Sequence, residues 1–172
     1  MRSPRQNGFT LVEILISIVV LALLIMVGIP SFTTFIANSR IRVAADGVLN
    51  GVQKARNEAI RRNACVQVKV VNGTGWVLST CADPDTALET RSASEGSDII
   101  DSVVTPGGSD TLSFNGLGRV VNPNPSDATA PFSQVEMDHK TAPGRKLRIV
   151  IPPGGAVRMC DPAVSTGDPR AC

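Results

Sequence analysis

The sequence predicts an α+β fold in which one long N-terminal helix packs on an antiparallel β domain. Three observations carry that expectation. From Phe9 to Ile29 the chain is almost unbroken hydrocarbon, interrupted only by Thr10, Glu13, Ser17 and Gly28. From Ile41 to Ala59 apolar residues recur at steps of four and three, the spacing of one helical face. Beyond Asn63 the period falls to two, as Val66, Val68 and Val70 alternate with Gln67 and Lys69.

The apolar run is long enough to cross a hydrocarbon core as one helix, which takes about 20 residues. Glu13 is its anomaly, because a carboxylate at such depth costs about 2.5–3.5 kcal/mol on insertion scales and needs a partner. Three readings compete. A secretory signal peptide would share the basic start, Arg2 and Arg5, but should end at a small-residue site of the A-x-A kind, and none follows Leu23. A plain membrane anchor accounts for the length and leaves Glu13 unexplained. In the third reading the cut falls after Gly8, so that Phe9 becomes the amino terminus one helical turn before Glu13.

The stretch Gly8-Phe9-Thr10-Leu11-Val12-Glu13 behind a short basic leader resembles the class III leader of type IV prepilins and type II secretion pseudopilins. The resemblance implies a pilin-like protein: residues 1–8 removed by a prepilin peptidase in the inner membrane, Phe9 N-methylated, residues 9–36 forming the membrane or filament-core half of the helix, and residues 37–172 a periplasmic head. It implies that Phe9 and Glu13 act in subunit assembly and that Pro30 bends the helix, as in many of these proteins. Physics agrees about Glu13, since the ammonium of Phe9 in one subunit can offset a neighbour's carboxylate in a dry filament core.

After Pro30 the helical period persists. Ile41, Ala45, Val48, Val52, Ala55 and Ala59 form an apolar stripe, with Arg40, Arg42, Asp46, Asn50, Lys54, Asn57 and Arg61 mostly off it. A helix from Phe9 to Arg62, stopped at Asn63, would be on the order of 80 Å long. Its close, Ala55-Arg56-Asn57-Glu58-Ala59-Ile60-Arg61-Arg62, resembles the A-R-x-E-A-x-x-R stretch of the GspH/FimT branch, whose heads are β-sandwiches. The same residues also read simply as Glu58 pairing with Arg61 or Arg62 on the helix surface.

A hairpin follows. If Asn72-Gly73-Thr74 is the loop, Val71 faces Gly75, Val70 faces Trp76, Val68 faces Leu78, and Cys65 falls opposite Cys81, near enough for a disulfide. Residues 82–97, acidic and small, read as a surface loop. Ile99 to Val104 is a strand, Thr111 to Phe114 and Leu117 to Val121 form a hairpin over Asn115-Gly116, and Asn122 to Pro131, with three prolines, is a loop. Ser133 to Asp138 reads as an edge strand. In Lys146 to Ile151, Leu147, Ile149 and Ile151 point one way and Lys146 and Arg148 the other; Pro152-Pro153-Gly154-Gly155 then turns the chain into Ala156 to Cys160. Four cysteines allow three pairings, and the local one joins Cys160 to Cys172 and tethers the tail.

Composition narrows the function. Removing the leader leaves 164 residues with 15 basic and 15 acidic groups, a formally neutral chain. The charges are nevertheless segregated: residues 40–69 hold seven basic and two acidic groups, 83–138 two and ten, and 139–172 six and two. Such blocks are solvated faces or docking surfaces. An even number of cysteines suits an oxidising compartment. There is no C-x-x-C and only one histidine, so neither a zinc site nor any cofactor is expected. His139 reads as a surface residue without the placed partner a general base needs. Gly107-Gly108 and Gly154-Gly155 lack the rest of a phosphate loop.

No enzyme is therefore expected. The first functional expectation is a structural minor pilin or pseudopilin that initiates or caps a type IV pilus or a type II secretion pseudopilus, with other pilins, the prepilin peptidase/N-methyltransferase and the inner membrane as partners. The second is DNA binding during uptake, implied by the FimT-like members of the branch. Their G-R-x-R motif corresponds here to Gly155-Ala156-Val157-Arg158, which keeps only the glycine and the last arginine. Lys146, Arg148 and Arg158 would form a weak, salt-sensitive basic patch, joined by Lys140, Arg145 and Arg170. The competing reading has these cations pair with the acidic middle of the chain.

Overall fold

The computed structural model describes residues 9–95, 99–141 and 144–172; the leader, with the expected cleavage glycine Gly8, lies outside the described residues. The chain divides into two compact units, Met1–Ile36 and Ala37–Cys172.

One helix, α1, runs Leu11–Arg62. It opens at Leu11 and not at Phe9. Thr10 is the reason: its carbonyl oxygen accepts the first helical bond from the Ile14 N–H at 3.3 Å, and its Oγ1 accepts the Glu13 N–H at 3.2 Å, which makes Thr10 the N-cap. The helix continues through Pro30. It ends where Asn63 takes a left-handed φ of 48°. There the Ala64 N–H reaches the Ala59 carbonyl and the Asn63 N–H the Ile60 carbonyl, both at 3.2 Å, closing the last turn as a Schellman motif.

The second unit holds two four-stranded antiparallel sheets. In chain order the strands are β1 (Val66–Val71), β2 (Gly75–Thr80), β3 (Ala87–Arg91), β4 (Ile100–Thr105), β5 (Thr111–Phe114), β6 (Gln134–His139), β7 (Leu147–Val150) and β8 (Arg158–Cys160). The first sheet has the order β3-β2-β1-β5, the second β4-β6-β7-β8. The β1–β2 register is Val71 with Gly75, Val70 with Trp76 and Val68 with Leu78, as the hairpin reading requires.

One core draws on the helix and both sheets. Ile41, Ala44, Ala45, Val48, Val52, Ala55 and Ala59 supply the helical stripe, each fully or almost fully buried. Val66, Val68, Val70, Trp76, Leu78, Leu112 and Phe114 come from the first sheet, and Ile100, Val135, Met137 and Ile149 from the second. Removing a valine- or leucine-sized side chain from water contributes about 1.5–3 kcal/mol, so this stripe rather than helix propensity fixes the second half of α1. Small residues bring the helix close. A Cβ on Gly51 would stand 2.7–2.8 Å from ring atoms of Trp76, so only glycine leaves room for that indole.

Three expectations are corrected. Residues 82–97 are not loop throughout: β3 lies within them, an edge strand paired with β2 through a register shift at Leu78/Ser79. Its side chains are mostly exposed, so backbone pairing alone holds it. Leu117 to Val121 forms no strand. Asn115 Oδ1 accepts the N–H groups of Leu117 and Arg119, each at 3.0 Å, which lengthens the turn, and only Val120 bridges back to Phe114. Finally, β6 is no edge strand: it sits between β4 and β7, with Val135 and Met137 buried.

Candidate functional site

Two regions hold the residues singled out from the sequence. The first is the start of α1. Phe9 is exposed and lies just outside the helix. Glu13, exposed at the third helical position, has its N–H on Thr10 and its carbonyl oxygen on the Ser17 hydroxyl, 2.7 Å away. Its carboxylate is the only acidic group in the apolar half of the helix, where Leu11, Val12, Ile14, Leu15, Ile16 and the apolar residues through Met26 are all exposed. This segment is long and apolar enough to cross a membrane. An apolar surface of this extent marks a site that lipid or other protein covers.

The second region is the outward face of the second sheet. The ladder pairs Val103 with Glu136, Glu136 with Arg148, and Arg148 with Cys160. Alternation along each strand then puts Asp101, Val103, Glu136, Asp138, Arg148 and Arg158 on one face. Arg148 donates from Nε and Nη2 to Glu136 Oε2 at 3.2 and 2.7 Å. Lys146 Nζ lies 3.1 Å from Asp138 Oδ2 and 3.5 Å from Glu136 Oε1. Arg158 donates to the backbone carbonyls of Ala171 and Cys172 at 3.5 and 2.9 Å. The Arg148 hydrogen bond holds the Glu136 carboxyl below its ordinary range, and the Asp138 hydrogen bond raises Lys146.

The sheet thus brings Lys146, Arg148 and Arg158 together, and with them the carboxylates of Asp101, Glu136 and Asp138. Three cations face three anions. A surface balanced in this way releases few counterions on meeting a polyanion. Arg145 and Arg170 are similarly matched, to Asp161 and to Asp168, whose carboxyl the Arg170 hydrogen bonds pull down to about 2. His139, half-buried at the end of β6, accepts the Thr141 N–H on Nδ1 at 3.2 Å.

The cysteines are joined Cys65 to Cys81 and Cys160 to Cys172. The second bond folds the tail back on β8, where the Asp161 N–H donates to the Arg170 carbonyl at 2.7 Å and Asp161 bridges Ala171. At the close of α1, Glu58 takes both Arg61 and Arg62, and its carboxyl falls to about 2 chiefly through the Arg61 hydrogen bond. Arg56 was invisible as a structural residue in the sequence. Its Nε donates to the Gly118 carbonyl at 3.0 Å, tying the helix to the Asn115–Arg119 turn across 62 residues of chain, and no local pattern announces such a bond.

A family model described as type II transport protein GspH matches residues 44–155, and a model of the prokaryotic N-terminal methylation motif matches residues 3–29. No curated protein matches by sequence. Among solved structures, the type IV minor pilin FimU of Pseudomonas aeruginosa (strain PAO1) superposes with a TM-score of 0.58 at 14% identity, covering 78% of this chain and 98% of that one. A second crystal form of the same pilin gives 0.53 at 13% identity, with 74% and 98% covered. The minor pseudopilin EpsH from the type 2 secretion system of Vibrio cholerae gives 0.52 at 14% identity, with 73% and 99% covered.

Proposed function

The chain belongs to the GspH family of type II transport proteins, and from that premise we propose that it is made as a prepilin, cut after Gly8 and N-methylated on Phe9, and built as a minor subunit into a type IV pilus. The cut and the methyl transfer are the work of a prepilin peptidase/N-methyltransferase. The apolar half of α1 waits in the inner membrane with the β domain in the periplasm. On assembly it exchanges lipid for the same segment of neighbouring subunits. The observation that carries this reading is the exposed apolar helix with Glu13 as its one acidic group. An ion left unpaired in hydrocarbon is expensive, so the protonated amine of a neighbour's Phe9 both offsets Glu13 and fixes the axial position of the incoming subunit.

Intact-mass measurement on the protein extracted from membranes tests the processing. The expected mass is that of a chain starting at Phe9 with one added methyl group; an amino terminus beyond Ile29 would make the segment a cleaved signal and overturn the reading. Glu13→Ala should be processed normally yet be missing from sheared filaments. Deleting the gene should remove surface pili and spare protein secretion, whereas the reverse would place the subunit in a type II secretion pseudopilus.

DNA binding through Lys146, Arg148 and Arg158 ranks below this, because Glu136 and Asp138 occupy two of the three cations.

A further inference from the structure

A cavity of about 310 Å³ opens between the head portion of α1, β7 and the disulfide-closed tail. Its floor is apolar, made by Leu147 and Met159, which lie on the core-facing side of the second sheet. Its rim is three arginines. Arg42, Arg145 and Arg170 have side chains 74%, 52% and 64% exposed. Their acid partners sit deeper. Asp161, under Arg145, is only 4% exposed, and Asp168 anchors Arg170 through Nε and Nη2, leaving Nη1 turned away. Arg42 is barely held, at 4.0 Å from Asp46. What a visitor meets is therefore a ring of guanidinium donors over a hydrocarbon floor.

We propose that this cavity is a docking socket for a partner subunit's loop that presents one apolar side chain flanked by carboxylates. The volume is at the small end of ligand pockets, enough for a side chain and its neighbours but not for a helix. The apolar side chain would cover Leu147 and Met159, and the carboxylates would take the outward guanidinium edges as charge-assisted hydrogen bonds. The inference rests on the filament reading only for the source of the loop.

A second copy of this chain does not fit. Leu117, the head's most exposed large apolar side chain, stands at a turn beside Arg119, an exposed cation with no acid partner among the described residues. Leu88 shares its cavity with Arg61 and Arg62. Val103 faces Glu136 in the middle of a strand and cannot reach into a socket. Docking either leucine would bring arginine to arginine, and like charges set together cost several kcal/mol, so the arrangement selects a different subunit.

The test uses the full chain in detergent micelles, labelled at methionine methyl groups, and two synthetic peptides, one with a leucine between aspartates and one with a leucine between lysines. The aspartate peptide should shift the Met159 methyl resonance and leave that of the buried Met137 in place, and the lysine peptide should do neither. The Arg42→Glu, Arg170→Glu double variant should keep the Met137 resonance, showing an intact core, and lose binding by about tenfold or more, the scale of one or two charge-assisted hydrogen bonds. Equal response to the two peptides, no response of Met159, or undiminished binding by the variant would overturn the proposal. So would a Met159 shift on concentrating the chain alone, which would make the occupant a second copy. None of these results touches Phe9 or Glu13, so failure here leaves the filament reading standing.

Discussion

The indole Nε1 of Trp76 donates to the carbonyl oxygen of Gly47 at 3.0 Å, so the sole tryptophan of the chain is hydrogen-bonded to the backbone of the helix it packs against. Four residues on, Gly51 lies against the same ring. Gly51→Ala makes the sign of a substitution depend on packing. On an exposed helix it would stabilise by about 1 kcal/mol. Here the new methyl meets the indole at less than 3 Å, and overpacking of that kind costs about 1–3 kcal/mol, so a net loss is expected, read as a lower urea midpoint by tryptophan fluorescence.

Charge balance on the second sheet predicts the response to polyanions. The native chain should leave a heparin column at low salt. Glu136→Gln with Asp138→Asn removes two of the three carboxylates and releases Arg148 and Lys146. Elution should then move to distinctly higher salt, because each cation set free can displace counterions from the matrix. An unmoved elution position would mean that these cations never face the matrix.

Acid should weaken the head in a defined window. Glu58 and Asp168 both have carboxyls lowered to about 2, from ordinary values of 4.5 and 3.8. A depressed folded-state value contributes stability that is present above the unfolded-state value and lost as pH falls toward the folded one. The urea midpoint should therefore fall between about pH 4.5 and 2. Both groups are exposed, so the effect is modest and should shrink in high salt. Glu58→Gln with Asp168→Asn should flatten that part of the curve.

Opening the tail should be local. Replacing Cys160 and Cys172 by serine frees a twelve-residue connection, which costs about 3 kcal/mol in the chain-entropy account. Limited proteolysis should trim the segment after Asp161 and leave the core strands protected from hydrogen exchange. Protection lost throughout the second sheet would show that the tail holds the whole sheet and not its own edge.

Where side-chain pattern and backbone geometry agreed, the sequence was legible to the residue. The β1–β2 hairpin follows from alternation, an Asn-Gly turn and two cysteines in register, and each points to the same pairing. The helical stripe from Ile41 to Ala59 was equally plain, because burial of one face leaves a period. What escaped was decided elsewhere. Ala87–Arg91 buries too little to show alternation, so its strand character comes from the free edge of β2. Gln134–His139 looked peripheral for its polar half, although those polar side chains occupy the outward face of a central strand. Asn115-Gly116 suggested a tight hairpin, but the Asn115 side chain captures two later N–H groups and widens it. Of the functional residues, Phe9 and Glu13 were visible through a compact motif, whereas the arginine-rimmed cavity is assembled from α1, the segment before β7 and the tail, and no stretch of chain contains it.

All the core residues and both disulfides lie beyond Ile36. On the filament reading, this separates two stages of biogenesis. The head can complete its oxidative folding while the first half of the helix is still dissolved in lipid, because nothing in the core waits for that half to find its place. Incorporation then moves a finished part, and the work done on it is extraction from a bilayer rather than folding. A quality check that senses the head, or a thiol oxidase that acts on it, is therefore free to operate upstream of assembly and to reject defective subunits before they reach a growing fibre.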